Sequence, residues 1–181
     1  MQDRANFIRR RPNQALDPDC VRQTVKHPVK IMIWGAISVH GTSRLHIVEG
    51  MMNSQQYVEV LEKRFFPQLL DWFPDGNAVL MHDGAPCHRS AMVSRYLEGH
   101  GLEVLPWPGN SPDMNPIEGL WKDLKDKISR EGVTNKRELT ERLISVWHRD
   151  DSLRQLARQY IMGMPNRIRA VILAKGGHTK Y

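Results

Sequence analysis

The sequence predicts a mixed α/β layer fold, and three features predict it. Apolar strands forming a hairpin stand first, single strands then alternate with helical segments, and the last third reads as one helix after another. Continuous apolar runs of four to eight residues mark the strands, and apolar residues repeating every 3.6 positions mark the helices.

Residues 1–30 form an irregular, basic lead-in containing Arg9-Arg10-Arg11-Pro12 and a second proline at Pro18. A single domain is expected over 31–181, with C-terminal helices at about 135–175. Ile31 to Ser38 is an apolar run of strand length, rich in strand formers. His40-Gly41-Thr42 reads as a turn and 44–49 as the returning strand. Asn53 or Ser54 suits the cap of a helix whose Tyr57, Val58, Val60, Leu61, Phe65, Phe66, Leu69, Leu70 and Phe73 have amphipathic spacing. Pro67 should kink or divide that helix, because proline lacks an N–H and its ring displaces the carbonyl four residues back.

After a turn at Pro74–Asn77, a second buried strand is expected at 78–82, ending at His82-Asp83-Gly84. A short helix (about 88–99) and a third strand (102–105) follow, then a rigid loop with Pro106, Pro108, Gly109, Asn110 and Pro112. A helix starts near Pro116, with Ile117, Leu120, Trp121, Leu124 and Ile128 on one stripe. Further helices fit 135–149 and 151–162, and a last one begins at Pro165 and stops at Gly176-Gly177. Trp34, Trp72, Trp121 and Trp147 fall in apolar patterns and are assigned to the core.

Composition narrows the classes. The chain has 181 residues and is 40% hydrophobic, enough for one packed core. No apolar run approaches the roughly 18–20 residues of a membrane span, and no apolar segment follows the N-terminal charges, so neither a membrane protein nor a secretory signal is read. Cys20 and Cys87 are far apart and neither forms a CxxC pair, which points to a reducing compartment and away from a zinc site. Residues 1–30 carry a net +4 and residues 151–181 a net +5, around a centre of −3. Basic flanks around an acidic centre suit a protein that holds a polyanion and reserves carboxylates for another purpose, although a solvated basic surface has the same charge.

Two carboxylates stand out. Asp83 follows an apolar strand, and the carboxyl ends of strands are where α/β sheets bind ligands; taken alone, the residue reads more readily as an aspartate that starts a turn. Glu118 sits in the first turn of a helix, where the dipole favours a carboxylate by roughly 0.3–1 kcal/mol whatever its function. It lies about 100° from Ile117 on the helical wheel, at the edge of the apolar stripe, where it can look along a sheet toward a strand end.

The segments containing these residues resemble the Tc/mariner superfamily of DNA transposases. His82-Asp83-Gly84-Ala85-Pro86-Cys87-His88 is similar to the family's second catalytic motif, which usually has Asn where Gly84 stands. The block from Trp107 to Trp121, containing Ser111-Pro112-Asp113-Met114-Asn115-Pro116-Ile117-Glu118, resembles the third. Thirty-four residues lie between Asp83 and Glu118, the spacing of the D,D,34E branch. Val25-Lys26-His27, the run from Ile31 to Ser38, Met164-Pro165-Asn166-Arg167-Ile168 and Lys175 to Tyr181 extend the likeness over essentially the whole chain.

The resemblance implies a ribonuclease H-like mixed sheet in strand order 3-2-1-4-5, with helices on both faces. Strands 31–38 and 44–49 would be the second and third, 78–82 the fourth and 102–105 the fifth. It implies Mg²⁺- or Mn²⁺-dependent cleavage and strand transfer at transposon ends, with Asp83 and Glu118 as the second and third metal-binding carboxylates. Two-metal phosphoryl transfer needs such hard oxygen ligands. The first carboxylate and its central strand would precede Met1, as would the helix-turn-helix DNA reader; Asp3, Asp17 and Asp19 do not fit that position. The 181 residues are therefore expected to be of low stability and inactive in cleavage, and a non-catalytic transposon-derived remnant that binds DNA or protein is the alternative.

DNA is the implied partner, with a homodimer possible, no membrane or small-molecule substrate, and a nuclear location. Arg9, Arg10 and Arg11 are candidates for phosphate contacts, with a plain solvated surface as an equal competitor. Trp107 is the aromatic residue placed to touch a DNA end. His82 and His88, beside Asp83, read as hydrogen-bonding neighbours, because magnesium prefers oxygen.

Overall fold

Alternate residues of the first strand face two different cores. In the computed structural model, which describes residues 29–108, 111–129, 133, 135–177 and 179, Ile31 and Ile33 pack into one apolar cluster and Trp34 into another. This is the period-two geometry of a strand buried on both faces. Strand β1 (Met32–Trp34) pairs antiparallel with β4 (His46–Val48), in register Ile33 with Ile47. Between them a tighter hairpin joins β2 (Ile37–Ser38) to β3 (Gly41–Thr42).

Two expectations are corrected here. The turn is Val39–His40, and Gly41–Thr42 is strand. The run from Ile31 to Ser38 is also interrupted, at Gly35–Ala36. There the Ala36 N–H donates to the Ser43 hydroxyl at 2.8 Å while the Ser43 N–H donates to the Ala36 carbonyl at 2.8 Å, so a side chain takes the place of one ladder bond. Gly35 leaves room for Trp147: a β-carbon there would lie 2.7 Å from Cζ2 of the indole. Gly35→Ala is expected to destabilise the fold by about 1–3 kcal/mol, the cost of overpacking a filled core. Chemical denaturation measures it, and an unchanged midpoint would mean that the indole moves aside freely.

A long helical segment follows. Asn53 caps α1 (Ser54–Val60) in a reciprocal box with Gln56. Leu61–Phe65 then forms a π-helical turn, and α2 (Phe66–Trp72) carries Pro67 in its first turn. The Phe66 N–H reaches back five residues to Leu61, and the widened turn makes room for the proline ring. Pro67 thus divides the helical segment without interrupting it. Trp72, expected in the core, is only half-buried and belongs to neither apolar cluster.

Strand β5 (Val79–Leu80) pairs in parallel with β6 (Glu103–Val104), joined through α3 (Ala91–Gly99), which starts three residues later than expected because Ser90 caps it. The remainder is helical: α4 (Pro116–Ser129), α5 (Lys136–Arg149), α6 (Asp151–Met162) and α7 (Met164–Leu173). The ladders β4–β1 and β5–β6 correspond to the 3-2 and 4-5 halves of the expected strand order; among the described residues no ladder joins β1 to β5.

Helices cover both faces. On one, Leu120, Leu124 and Ile128 of α4 pack with Leu143, Val146 and Trp147 of α5 and Leu153 and Ala157 of α6, against Ile33, Ile37 and Ile47. On the other, Tyr57, Leu61 and Phe65 pack with Val93 and Leu97 of α3, against Trp34, Leu80 and Val104. Lys127 binds Asp150 at 2.7 Å, tying α4 to the junction of α5 and α6. None of the helices among the described residues is long and apolar enough to cross a membrane.

Candidate active site

Strand β5 ends two residues before His82, and the chain then turns sharply. The turn is made by Asp83, whose Oδ1 accepts the Ala85 N–H at 3.0 Å, so the aspartate does serve its own backbone as one reading of the sequence proposed. The same oxygen accepts a hydrogen bond from His88 Nδ1 at 2.7 Å. Both bonds fall on Oδ1, which leaves Oδ2 unused by either, and the side chain is 53% exposed.

Behind the carboxylate lies a stack of rings. His88 and His82 are parallel at 4.9 Å, Tyr57 packs on His88 at 4.3 Å, and the Tyr57 hydroxyl and His82 Nδ1 share a hydrogen bond of 3.2 Å. Burial, and then the neighbouring His88, push the His82 pKa down to about 4, opposed by Asp83. Burial pushes the buried Tyr57 phenol well above its ordinary value. The histidines beside Asp83 therefore hold and back the carboxylate, with His88 in direct contact.

Glu118 reaches the same place from the other side. Asn115, itself buried, ends a turn begun at Ser111, and its side chain accepts from the Ile117 N–H at 3.4 Å. Pro116 occupies the first helical position, where its missing N–H costs nothing. Leu120, Leu124 and Ile128 turn the apolar stripe inward and leave Glu118 half-buried at its edge.

Asp83, Glu118 and Trp107 line one cleft of about 470 Å³, together with Arg89, Ser111 and Asn115. The structure thus brings together three of the residues singled out in the sequence. Arg9, Arg10 and Arg11 lie outside the described residues. Sequence reading missed Arg89, an exposed cation on the cleft wall beside two carboxylates. Its position directly after His88 in the Asp83 motif was the available signal.

The donor set is compatible with a hard divalent cation. Two carboxylates from separate elements line one cleft, and among the described residues no cation is ion-paired with Glu118. These two are fewer than the three or more His, Cys, Asp or Glu of a full cage, and no such group occurs among the described residues.

The chain matches a family model described as DDE superfamily endonuclease over residues 6–140. The chain belongs to that family. Within the DDE superfamily it is a Tc/mariner-type domain: it is 30% identical over 181 residues to the transposable element Tcb2 transposase of Caenorhabditis briggsae and 29% identical over 180 residues to the Tc1 transposase of Caenorhabditis elegans. Each alignment covers 99% of this chain and 65% of the relative, so the chain spans just under two thirds of the length of these curated relatives. The DDE domain also superposes on the catalytic domain of Mos1 mariner transposase with a TM-score of 0.74 at 19% identity, covering 83% of this chain and 76% of that one. With the Mos1 paired end complex containing Mn the TM-score is 0.77 at 19% identity, over 88% and 48%. At that identity the likeness establishes the fold, which is ribonuclease H-like as expected.

The histidines are expected to make the DDE domain sensitive to acid. Burial lowers the pKa values of His46, His82 and His148, and the Leu45 N–H donates to the His148 Nε2 lone pair, a bond that protonation removes. Their unfolded pKa of 6.5 lies above the folded one, so the unfolded chain binds protons first as pH falls. Stability should therefore be intact above 6.5 and decline toward 4, the folded value of His82. Asp150, held below the usual carboxylate range by Lys127 and Ser152, acts in the same direction only at lower pH. Thermal midpoints between about pH 4.5 and 7.5 check this, and His82→Asn should flatten the decline. A flat wild-type profile would mean that the three rings protonate equally well in the folded state.

Proposed function

We propose that this chain is the part of a transposase that cuts DNA at transposon ends and joins them to a target, using Mg²⁺ or Mn²⁺. The observation that carries this reading is the convergence of Asp83, from the end of β5, and Glu118, from the first turn of α4, on one cleft. Asp83 and Glu118 would hold the metal through carboxylate oxygens, which hard cations require. When bound, the metal would supply a Lewis acid for phosphodiester chemistry.

The remaining residues act on position and charge. His88, by holding Oδ1 of Asp83, restricts the carboxylate to one orientation. Arg89 offers a guanidinium to a backbone phosphate at the cleft wall, in the bidentate manner arginine favours. Trp107 offers an aromatic face on which the last base of a DNA end can stack. DNA that reaches the cleft is expected to come through the basic flanks, and a nuclear location and a paired assembly belong to the same proposal.

The described part of the cleft supplies two carboxylates, fewer oxygen donors than a pair of hard cations would need. The 181-residue chain is therefore expected to bind metal and DNA without cutting. The test has two arms. Mn²⁺ titration should show binding that weakens about 10-fold or more in Asp83→Asn and in Glu118→Gln, as for loss of a site's direct or outer partners. A nicking assay on DNA carrying transposon ends should show no cleavage by this chain, and metal-dependent cleavage by a longer chain that adds an upstream strand with an aspartate. Unchanged Mn²⁺ binding in both variants would defeat the metal-site reading and favour a non-catalytic DNA- or protein-binding role. Cleavage by the 181 residues that is lost in Asp83→Ala would mean that another residue of this chain completes the centre.

A further inference from the structure

The Met164–Ile168 segment was singled out in the sequence as part of the resemblance, yet nothing in the proposed chemistry uses it. It lies beyond residues 6–140, the span of the family model. Its Arg167 is only 9% exposed, an unusual state for arginine, which is rarely buried without partners. The guanidinium sits 5.1 Å above the ring of Tyr160, from α6, and its Nη1 lies 3.5 Å from the carbonyl of Asp113 in the loop that leads into α4.

Tyr160 in turn grips α4 at two points one turn apart. Its ring lies over Gly119, where a β-carbon would be 2.6 Å from Cε1 and 2.7 Å from Cζ. Its hydroxyl donates to Asp123 Oδ2 at 2.8 Å. Positions 119 and 123 lie on one face of the helix, and Gly119 is the immediate neighbour of Glu118.

The apolar stripe of α4 decides which face turns inward, but apolar burial is not directional and leaves the finer rotation to other contacts. A hydrogen bond at one turn and a glycine-sized seat at the previous turn are directional. We propose that Tyr160, backed by Arg167, is a positioning residue that sets the rotation of the first two turns of α4 and so aims Glu118 into the cleft. The inference rests on the reading of Glu118 as a metal ligand. Burial, and the Asp123 carboxylate beside it, push the Tyr160 phenol up to about 12, so the hydroxyl remains a donor throughout the neutral range.

The experiment measures Mn²⁺ affinity of the full 181-residue chain, from the spectroscopic signal of the free ion, together with thermal midpoint. Glu118→Gln tests the ligand. Gly119→Ala displaces the Tyr160 ring, and Tyr160→Phe removes a single oxygen, so the second remains readable where the first disrupts the fold. Leu143→Val alters the same core from α5, a different helix from the one that carries Glu118. Glu118→Gln and Gly119→Ala are expected to weaken Mn²⁺ binding about 10-fold and Tyr160→Phe about 3-fold, at or below the low end for partners that orient metal ligands. Leu143→Val should leave affinity unchanged while lowering the midpoint.

Loss of affinity in Glu118→Gln alone, with Gly119→Ala and Tyr160→Phe at the wild-type value, would overturn the proposal and leave the metal site standing. Loss in Leu143→Val equal to that in Tyr160→Phe would also overturn it, since affinity would then follow general stability. If Glu118→Gln has no effect, the ligand reading fails, and amide hydrogen exchange decides the remainder. Faster exchange confined to residues 118–123 in Tyr160→Phe would support the seating of α4, and uniform exchange would overturn it.

Discussion

Trp147→Ala is expected to cost about 3–5 kcal/mol of folding stability, the range for deleting a large aromatic from a packed core. The indole is fully buried, stacks on Trp121 with centroids 4.8 Å apart, and donates its Nε1–H to the Ser43 carbonyl at 2.6 Å. Its backbone carbonyl accepts from the Thr42 hydroxyl at 3.3 Å, so α5 is pinned to the hairpin by both backbone and ring. Truncation would leave a cavity beside Gly35 and a buried carbonyl without its donor. Trp147→Phe separates these effects: it keeps most of the apolar volume and loses the N–H, an expected cost of about 1–3 kcal/mol for an orphaned buried acceptor. Urea denaturation followed by circular dichroism reads both, and a loss below about 1 kcal/mol for Trp147→Ala would show that the site collapses around the gap.

The second large effect is the salt dependence of DNA binding. The net charges of +4 and +5 on the two flanks are expected to hold arbitrary duplex DNA with a Kd of roughly 10⁻⁴–10⁻⁶ M at physiological salt. Binding of this kind is driven by release of counterions, so log affinity should fall linearly with log salt, by about 0.9 per phosphate engaged. Replacing Arg9, Arg10 and Arg11 by Ala should therefore reduce the slope by up to about 2.7 if each grips a phosphate. Fluorescence anisotropy at several salt concentrations measures it. A slope that survives the triple substitution would assign those arginines to a solvated surface and move the contact to the C-terminal flank or to Arg89.

Most of the element order was legible because it depends on neighbours a few positions apart. The apolar stripe of Leu120, Leu124 and Ile128 placed α4 correctly, and Asn53, Pro67 and Pro116 signalled a cap, a division and a start by backbone chemistry alone. The motifs around Asp83 and Glu118, with 34 residues between them, mark both carboxylates in the sequence itself. The misplaced turn at His40–Thr42 has a different origin. Glycine at 41 signals a turn locally, yet its φ of +114° is accommodated inside a strand, beside the turn at Val39–His40.

What the tertiary structure decided comes from contacts between residues far apart in the chain. The break at Gly35–Ala36 is sealed by Ser43 and shaped by an indole more than a hundred positions away. The half-buried state of Trp72 depends on where the end of α2 falls relative to two cores that the helix does not itself define. Likewise, Arg89 and Gly119 stand beside motif residues in the sequence, but that one lines the cleft and the other seats the Tyr160 ring is decided only by the folded chain. Hydrophobic period and capping act over three or four residues and are written in the order of side chains. Which faces then meet depends on volumes and directional bonds that exist only after the chain has folded, and there Glu118 comes to line the same cleft as Asp83.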